Sequence, residues 1–208
     1  MQASQGGVAG VPPPVLLRFQ AAIGGFGGIT GPYRGYLFYW KTTRNEVIDV
    51  VTQSLWPYLS SAKREQLREA AADVRRQVPG ASRSVGVDTE LAWAAGLFDA
   101  EGCLYLTRPK PGSSWRGVTL YLAQASPDAA PETIVRFYAA IGGRGTMTGP
   151  HAPRSPWSRL PQYQWQTSGR HTVTAVIRQL WPYLGTATRA RVAAAAEHLD
   201  PDFSGGDS

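Results

Sequence analysis

The period of the apolar pattern changes along this chain, and the changes mark out its elements. The run Leu91-Ala92-Trp93-Ala94-Ala95-Gly96-Leu97-Phe98-Asp99-Ala100-Glu101-Gly102-Cys103 leaves no wet face at a 3.6-residue period, which predicts a mostly buried helix. Its small residues Ala92, Ala95, Gly96 and Asp99 fall at i, i+3, i+4 and i+7, so a second backbone can approach closely there. Residues 103–108 alternate at period two, with Leu104 and Leu106 on one face and Tyr105 and Thr107 on the other, as a half-buried strand requires. Residues 109–116 read as a turn. Residues 117–125 read as the returning strand, with Val118, Leu120 and Leu122 inward and Thr119, Tyr121 and Ala123 outward. A helix over 131–141 and a short strand over 145–148 follow. The next strand, 162–167, points Tyr163 and Trp165 at the core and Gln164 and Gln166 away from it. Helical segments over 172–180 and 186–199 are separated at Pro182. The second is Ala-rich, carries Arg189 and Arg191, and reads as a surface helix.

The beginning of the chain repeats part of this order. Val15 to Pro32 matches Thr133 to Pro150 at a constant offset (133 − 15 = 118), through Arg-Phe, Ala-Ala-Ile-Gly-Gly and Thr-Gly-Pro. Leu55-Trp56-Pro57-Tyr58-Leu59 recurs as Leu180-Trp181-Pro182-Tyr183-Leu184 at a larger offset (180 − 55 = 125), so copy two carries seven extra residues (125 − 118). They fall in the Pro- and Arg-rich stretch 151–161, a long hairpin loop. Such self-similarity means duplication. Copy one has a helix over 15–23, introduced by prolines and ended by Gly24-Gly25. A strand over 36–42 follows, with Phe38 and Trp40 inward and Tyr39 and Lys41 outward, and then a helical region over 45–76. The apolar helix of copy two begins about 44 residues before its repeat segment (133 − 89), which for copy one falls before residue 1. Copy one is therefore read as lacking that helix and its first two strands. The domains expected are a disordered lead at 1–11, a partial unit at 12–78, a linker at 79–87, a complete unit at 88–200 and a tail at 201–208.

Two acids close the apolar helix, where the unpaired carbonyls and the negative end of the dipole lie. Asp99 and Glu101 there cost about 0.3 to 1 kcal/mol each, while carboxylate and carbonyl oxygens together suit a hard divalent cation such as magnesium. Gly102 is placed to end the helix in the left-handed conformation.

Ala94 to Gly102, Ala-Ala-Gly-Leu-Phe-Asp-Ala-Glu-Gly, resembles the LAGLIDADG motif of homing endonucleases at six of nine positions, with Phe for Ile and Glu for Asp among the differences. The resemblance implies a mixed α+β fold. It would be a helix, two strands, helix, two strands, helix unit on an antiparallel saddle-shaped sheet, with a partial second copy. It implies a site-specific, double-strand DNA endonuclease that hydrolyses phosphodiesters with a divalent metal, mobile with an intron or intein. Glu101 falls on the metal-binding acid of the motif, and Asp99 on the acid that bonds locally near the helix end. Lys41 falls where similar enzymes carry a basic residue beside the metals, and Gln166 is its equivalent in copy two (166 − 125 = 41). Family members pair two motif helices, each giving one acid, so one acid is half a site. Two classes stay open. One is an active nuclease, either a homodimer through the helix around Ala92 and Gly96 or a descendant of a two-motif chain. The other is a maturase-like or regulatory relative that binds DNA or RNA without cutting.

Bulk properties add less. A net charge of +6 and a pI near 9.7 favour a polyanionic partner. One cysteine excludes an internal disulfide, and the histidines lack metal-ligand spacing. No signal peptide is read at the N-terminus, so a reducing cytoplasm is expected, with the protein on the nucleoid. Tyr105, Thr107, Tyr121, Gln164 and Gln166 share the outward sheet face and are groups that bond base edges. Arg108, Lys110 and Arg116 in the first turn, with Arg154 and Arg159 in the long hairpin, would hold phosphates. Changing Arg154 and Arg159 together to Ala is expected to lower the slope of log affinity against log salt by up to about 2. An unchanged slope in a DNA-binding titration removes that hairpin from the contacts.

Overall fold

The first strand forms where the pattern suggests a loose lead. In the computed structural model, which describes all residues except 9, 75–77, 81–85, 108–116, 154–158 and 204–208, β1 (Gln2–Gly6) pairs antiparallel with β3 (Leu37–Lys41) along its whole length. Ala3 is its only apolar side chain apart from glycine. The backbone ladder holds the strand, which is why hydrophobic alternation missed it. Gln2 faces Lys41 as Tyr121 faces Gln166 in the later copy, so β1 stands in the place of the second strand (121 − 2 = 119). Copy one contains its second strand.

The chain divides into two units, Met1–Ser84 and Val85–Ser208. In the first, β2 (Gly28–Tyr33) completes a sheet of order β1-β3-β2, and α1 (Pro14–Ala22) and α2 (Asn45–Leu55) bury Leu16, Val47 and Val51 with Phe38 and Trp40. The helical region over 45–76 is broken. Trp56–Tyr58 form a 3₁₀ turn, because Pro57 cannot continue an α-helical ladder, and α3 (Ser61–Asp73) restarts with the Ser60 side chain accepting from the Lys63 amide.

The second unit runs α4 (Val87–Glu101), β4 (Cys103–Leu106), β5 (Val118–Ala125), α5 (Glu132–Ala140), β6 (Thr146–His151), β7 (Gln162–Thr167), α6 (Arg170–Leu180) and α7 (Thr186–Ala194). Its antiparallel sheet has the order β4-β5-β7-β6. Leu120, Leu122, Tyr163 and Trp165 point from one face of that sheet into a core shared with α4, α5 and α6. Phe98 stacks on Phe137 at 6.3 Å, and Phe137 meets Trp165 edge-on at 4.8 Å. Each such buried side chain is worth about 1.5 to 3 kcal/mol. The same contact recurs in the first unit, where Phe19 meets Trp40 edge-on at 5.1 Å. Trp40 donates to the Phe26 carbonyl at 2.8 Å as Trp165 donates to that of Arg144 at 2.7 Å.

Three expectations change here. α4 does have an open face: Ala94, Ala95 and Phe98 are buried, Leu91, Trp93 and Leu97 are half-buried, and Gly96, Ala100 and Glu101 are exposed. The Ala-rich α7 is not merely a surface helix, since Thr188 and Val192 are buried and Ala195 and Leu199 continue the core beyond it. Gly102 is extended (φ −76°, ψ 147°), not left-handed. Glycine is needed there for space, because a β-carbon would run into the ring and carbonyl oxygen of Phe98. Gly102→Ala is expected to destabilise the second unit by about 1 to 3 kcal/mol through overpacking. Gly96→Ala, with open space at that position, should stabilise it by roughly 0.5 to 1 kcal/mol. Urea unfolding followed by tryptophan fluorescence measures both, and equal effects would refute the steric account.

Candidate nucleic-acid interface and acidic centre

Glu101 is exposed at the last turn of α4, and only Gly102 separates it from β4. No loop intervenes, so the carboxylate sits at a rigid junction. Three contacts hold that junction. Phe98 enters the core, the Gly102 amide donates to the Phe98 carbonyl at 2.9 Å, and Asp99 Oδ2 accepts from the Gly185 amide at 2.7 Å. Gly185 is the cap of α7, so Asp99 ties the end of one helix to the start of another and satisfies an otherwise orphaned N-terminal amide. Farther up α4, Glu90 accepts from Arg136 Nε at 2.8 Å and Nη2 at 2.7 Å, and the guanidinium lies 4.2 Å from the centre of the Trp93 ring.

The outward face of the sheet begins two residues after Glu101. Cross-strand register makes a row of Cys103, Tyr121, Gln166 and Thr146, then rows with Tyr105 opposite Thr119, and Ala123, Gln164 and Thr148. Tyr105 and Gln166 are exposed and Tyr121 half-buried. Gln164 points the same way but is only 5% exposed, and its amide nitrogen has no partner among the described residues. Thr107 is engaged locally: its hydroxyl donates to the Gly117 carbonyl at 3.1 Å and accepts from the Gly117 amide at 2.9 Å, closing the hairpin. Cys103, Thr146, Thr148 and His151, whose ring bonds the Thr148 hydroxyl at 2.9 Å, belong to this face and escaped the sequence reading. The alternation of Thr146 and Thr148 was the available signal.

In the first unit, Lys41 is exposed on the outward face of β3. Its ammonium lies 4.9 Å from the Tyr39 ring centre and 5.5 Å from that of Tyr33. Ala95 is buried in the core, Ala92 is half-buried, and Gly96 faces open space, so the small residues of α4 do not share one environment. Arg159 is exposed. Arg108, Lys110, Arg116 and Arg154 lie outside the described residues. Several arginines counted in the positive balance serve the fold: Arg144, Arg170, Arg178 and Arg189 all donate to backbone carbonyls.

No protein-family model and no curated protein sequence matches this chain. Solved structures do. The LAGLIDADG meganuclease I-AabMI, bound to uncleaved DNA, superposes with a TM-score of 0.59 at 14% identity, over 94% of this chain and 81% of that one. The meganuclease I-SmaMI, bound to uncleavable DNA, gives 0.59 at 12% identity over 96% and 80%. The fold is that of the LAGLIDADG homing endonucleases. Against the homing endonuclease I-CvuI the chain spans 66% of that protein's length with 53% of its own. Among the described residues Val85–Ser208 forms four strands and α4, and Met1–Ser84 three strands.

The Arg136 guanidinium holds the Glu90 carboxyl below the usual carboxylate range, mainly through their hydrogen bonds, with burial opposing. A carboxylate with a lowered folded pKa adds stability above its unfolded value, and that stability is lost as pH falls through the folded one. Glu90→Gln is therefore expected to reduce stability at neutral pH and to flatten its decline below the ordinary carboxylate range. Unfolding titrations across pH check this, and parallel curves for the two proteins would refute it.

Proposed function

We propose that this chain binds double-stranded DNA across the outward sheet face and hydrolyses its phosphodiester bonds with a divalent cation held at Glu101. The observation that carries the reading is the exposed Glu101 carboxylate, fixed at a loop-free helix-to-strand junction beside a polar row of strand side chains. The fold supports it, as do the DNA complexes of I-AabMI and I-SmaMI and the presence of calcium ions where I-SmaMI is bound to its uncleaved DNA target.

The donor set suits magnesium. Among the described residues no three His, Cys, Asp or Glu side chains cluster as a closed cage would require. Magnesium keeps several waters and takes one or two carboxylates plus substrate phosphates, and one exposed carboxylate with helix-end carbonyls meets that requirement. Bound there, the ion would polarise the scissile phosphate and lower the pKa of a water. Glu101 would hold it, Asp99 would keep the helix end in place, and Tyr105, Tyr121 and Gln166 would bond base edges. Arg159, and Lys41 on its own sheet, would meet phosphates.

A second reading, binding of DNA or RNA without cutting, fits the single acid, Glu101, that the described residues place at a loop-free helix-to-strand junction. One experiment separates the two. On DNA flanking the gene, Glu101→Gln is expected to abolish magnesium-dependent nicking while leaving affinity nearly intact. Equal loss of both would make Glu101 structural, and binding without nicking by the unaltered chain would establish the second reading.

A further inference from the structure

The outward sheet faces of the two units carry different chemistry at equivalent positions. The second unit has His151, Gln164 and Gln166, polar groups of the kind that bond base edges, where the first has Tyr33, Tyr39 and Lys41 (151 − 118, 164 − 125, 166 − 125). The two tyrosines meet edge-on, with ring centres 5.3 Å apart and planes at 72°. Lys41 Nζ stands 4.9 Å from the centre of the Tyr39 ring and 5.5 Å from that of Tyr33. Tyr33 is 46% exposed and Tyr39 half-buried, so part of each side chain is open to solvent.

Lys41 also lines a cavity of about 430 Å³, together with Gly27, Gly28, Thr43 and Arg44. No acid lies on that wall among the described residues, and Glu46 in the first turn of α2 is not part of it. Arg44 is exposed, and its guanidinium has no hydrogen-bond or ion-pair partner among the described residues, unlike Arg144 and Arg170 of the second unit. The second unit has Gly169 at the equivalent place (169 − 125 = 44), so this cation belongs to the first copy alone. Residues 1–45 hold four Lys or Arg and no Asp or Glu.

Ring faces beside a cationic cavity select a ligand. In a duplex the face of each base is covered by its neighbours, and only the edges can be read from a groove. An unpaired base has its face free, and stacking on an aromatic side chain holds it whatever its edge carries. We propose that the outward face of the first unit binds single-stranded nucleic acid, with an unpaired base stacked on Tyr33 and Tyr39 and an adjoining phosphate in the cavity between Lys41 and Arg44. Recognition by ring face and phosphate does not involve the sugar, so DNA and RNA strands both qualify. The inference goes beyond the nuclease reading, which concerns a duplex and Glu101, and does not rest on it.

The test measures binding of the full chain, without divalent ions, to an oligothymidylate and an oligouridylate of about ten nucleotides. An abasic strand of the same length and charge and an oligo(dA)·oligo(dT) duplex are the comparisons. Both strands with bases are expected to bind about tenfold more tightly than the abasic one. Tyr33→Ala should weaken their binding about tenfold, Tyr33→Phe should not, and neither should change affinity for the duplex. Arg44→Ala should lower the slope of log affinity against log salt by about 0.7. Equal binding of the abasic strand overturns the proposal, as does unchanged affinity in Tyr33→Ala, a matching loss in Tyr33→Phe or an unchanged slope in Arg44→Ala. Loss of duplex affinity in Tyr33→Ala equal to the loss for single strands would assign the face to groove reading and also overturn it. The abasic comparison needs no variant and decides alone if Tyr33→Ala fails to fold. Single-strand binding is read without cleavage and apart from the duplex, so failure here leaves the nuclease reading standing.

Discussion

The contact between Phe98 and Gly102 governs the second unit of this protein. The ring must enter the core to stack on Phe137, and the chain must turn into β4 within one residue, so the space beside the ring admits a hydrogen and nothing larger. That constraint leaves Glu101 at the surface on a junction with no loop to loosen it. The junction fixes the backbone that carries this carboxylate, while the exposed side chain keeps rotamer freedom that it would lose on meeting a cation or a phosphate. Asp99 reinforces the junction from the other side by bonding the cap of α7, so core packing and a helix start together fix the backbone that carries Glu101.

The two units apply one packing scheme to different amounts of chain. Each keeps an aromatic pair at the helix–sheet contact and a tryptophan indole bonded to a loop carbonyl. The aligned positions differ most in exposure where α4 has no counterpart. Val51 and Val176 are both fully buried, while Leu55 is half-buried and Leu180 only 1% exposed. Positive charge is likewise divided by use. Arginines on the helices of the second unit are largely committed to carbonyls, so the net charge overstates the cationic surface free to meet phosphate.

What the chain's pattern determined by itself was considerable. Period-two runs located β4, β5 and β7, the proline and glycine brackets located α1, and the repeat offsets aligned the two units. The acids after Phe98 were legible because a helix C-terminus disfavours negative charge, so finding two there demands an explanation. These are local signals: periodicity, turn chemistry and self-similarity need only neighbours in sequence.

Tertiary structure alone decided the rest. β1 has almost no apolar signal and exists because β3 offers it a ladder, and Gln164 alternates outward yet is buried. Thr107, equally outward by pattern, is spent on Gly117 across the hairpin. Gly102 resembled a left-handed cap, but what demands glycine is the proximity of a ring four residues back, which depends on where the core pulls Phe98. Pairing partners, exposure and steric room are properties of what lies opposite a residue. The sequence names both members of such a pair, and only the fold brings them together.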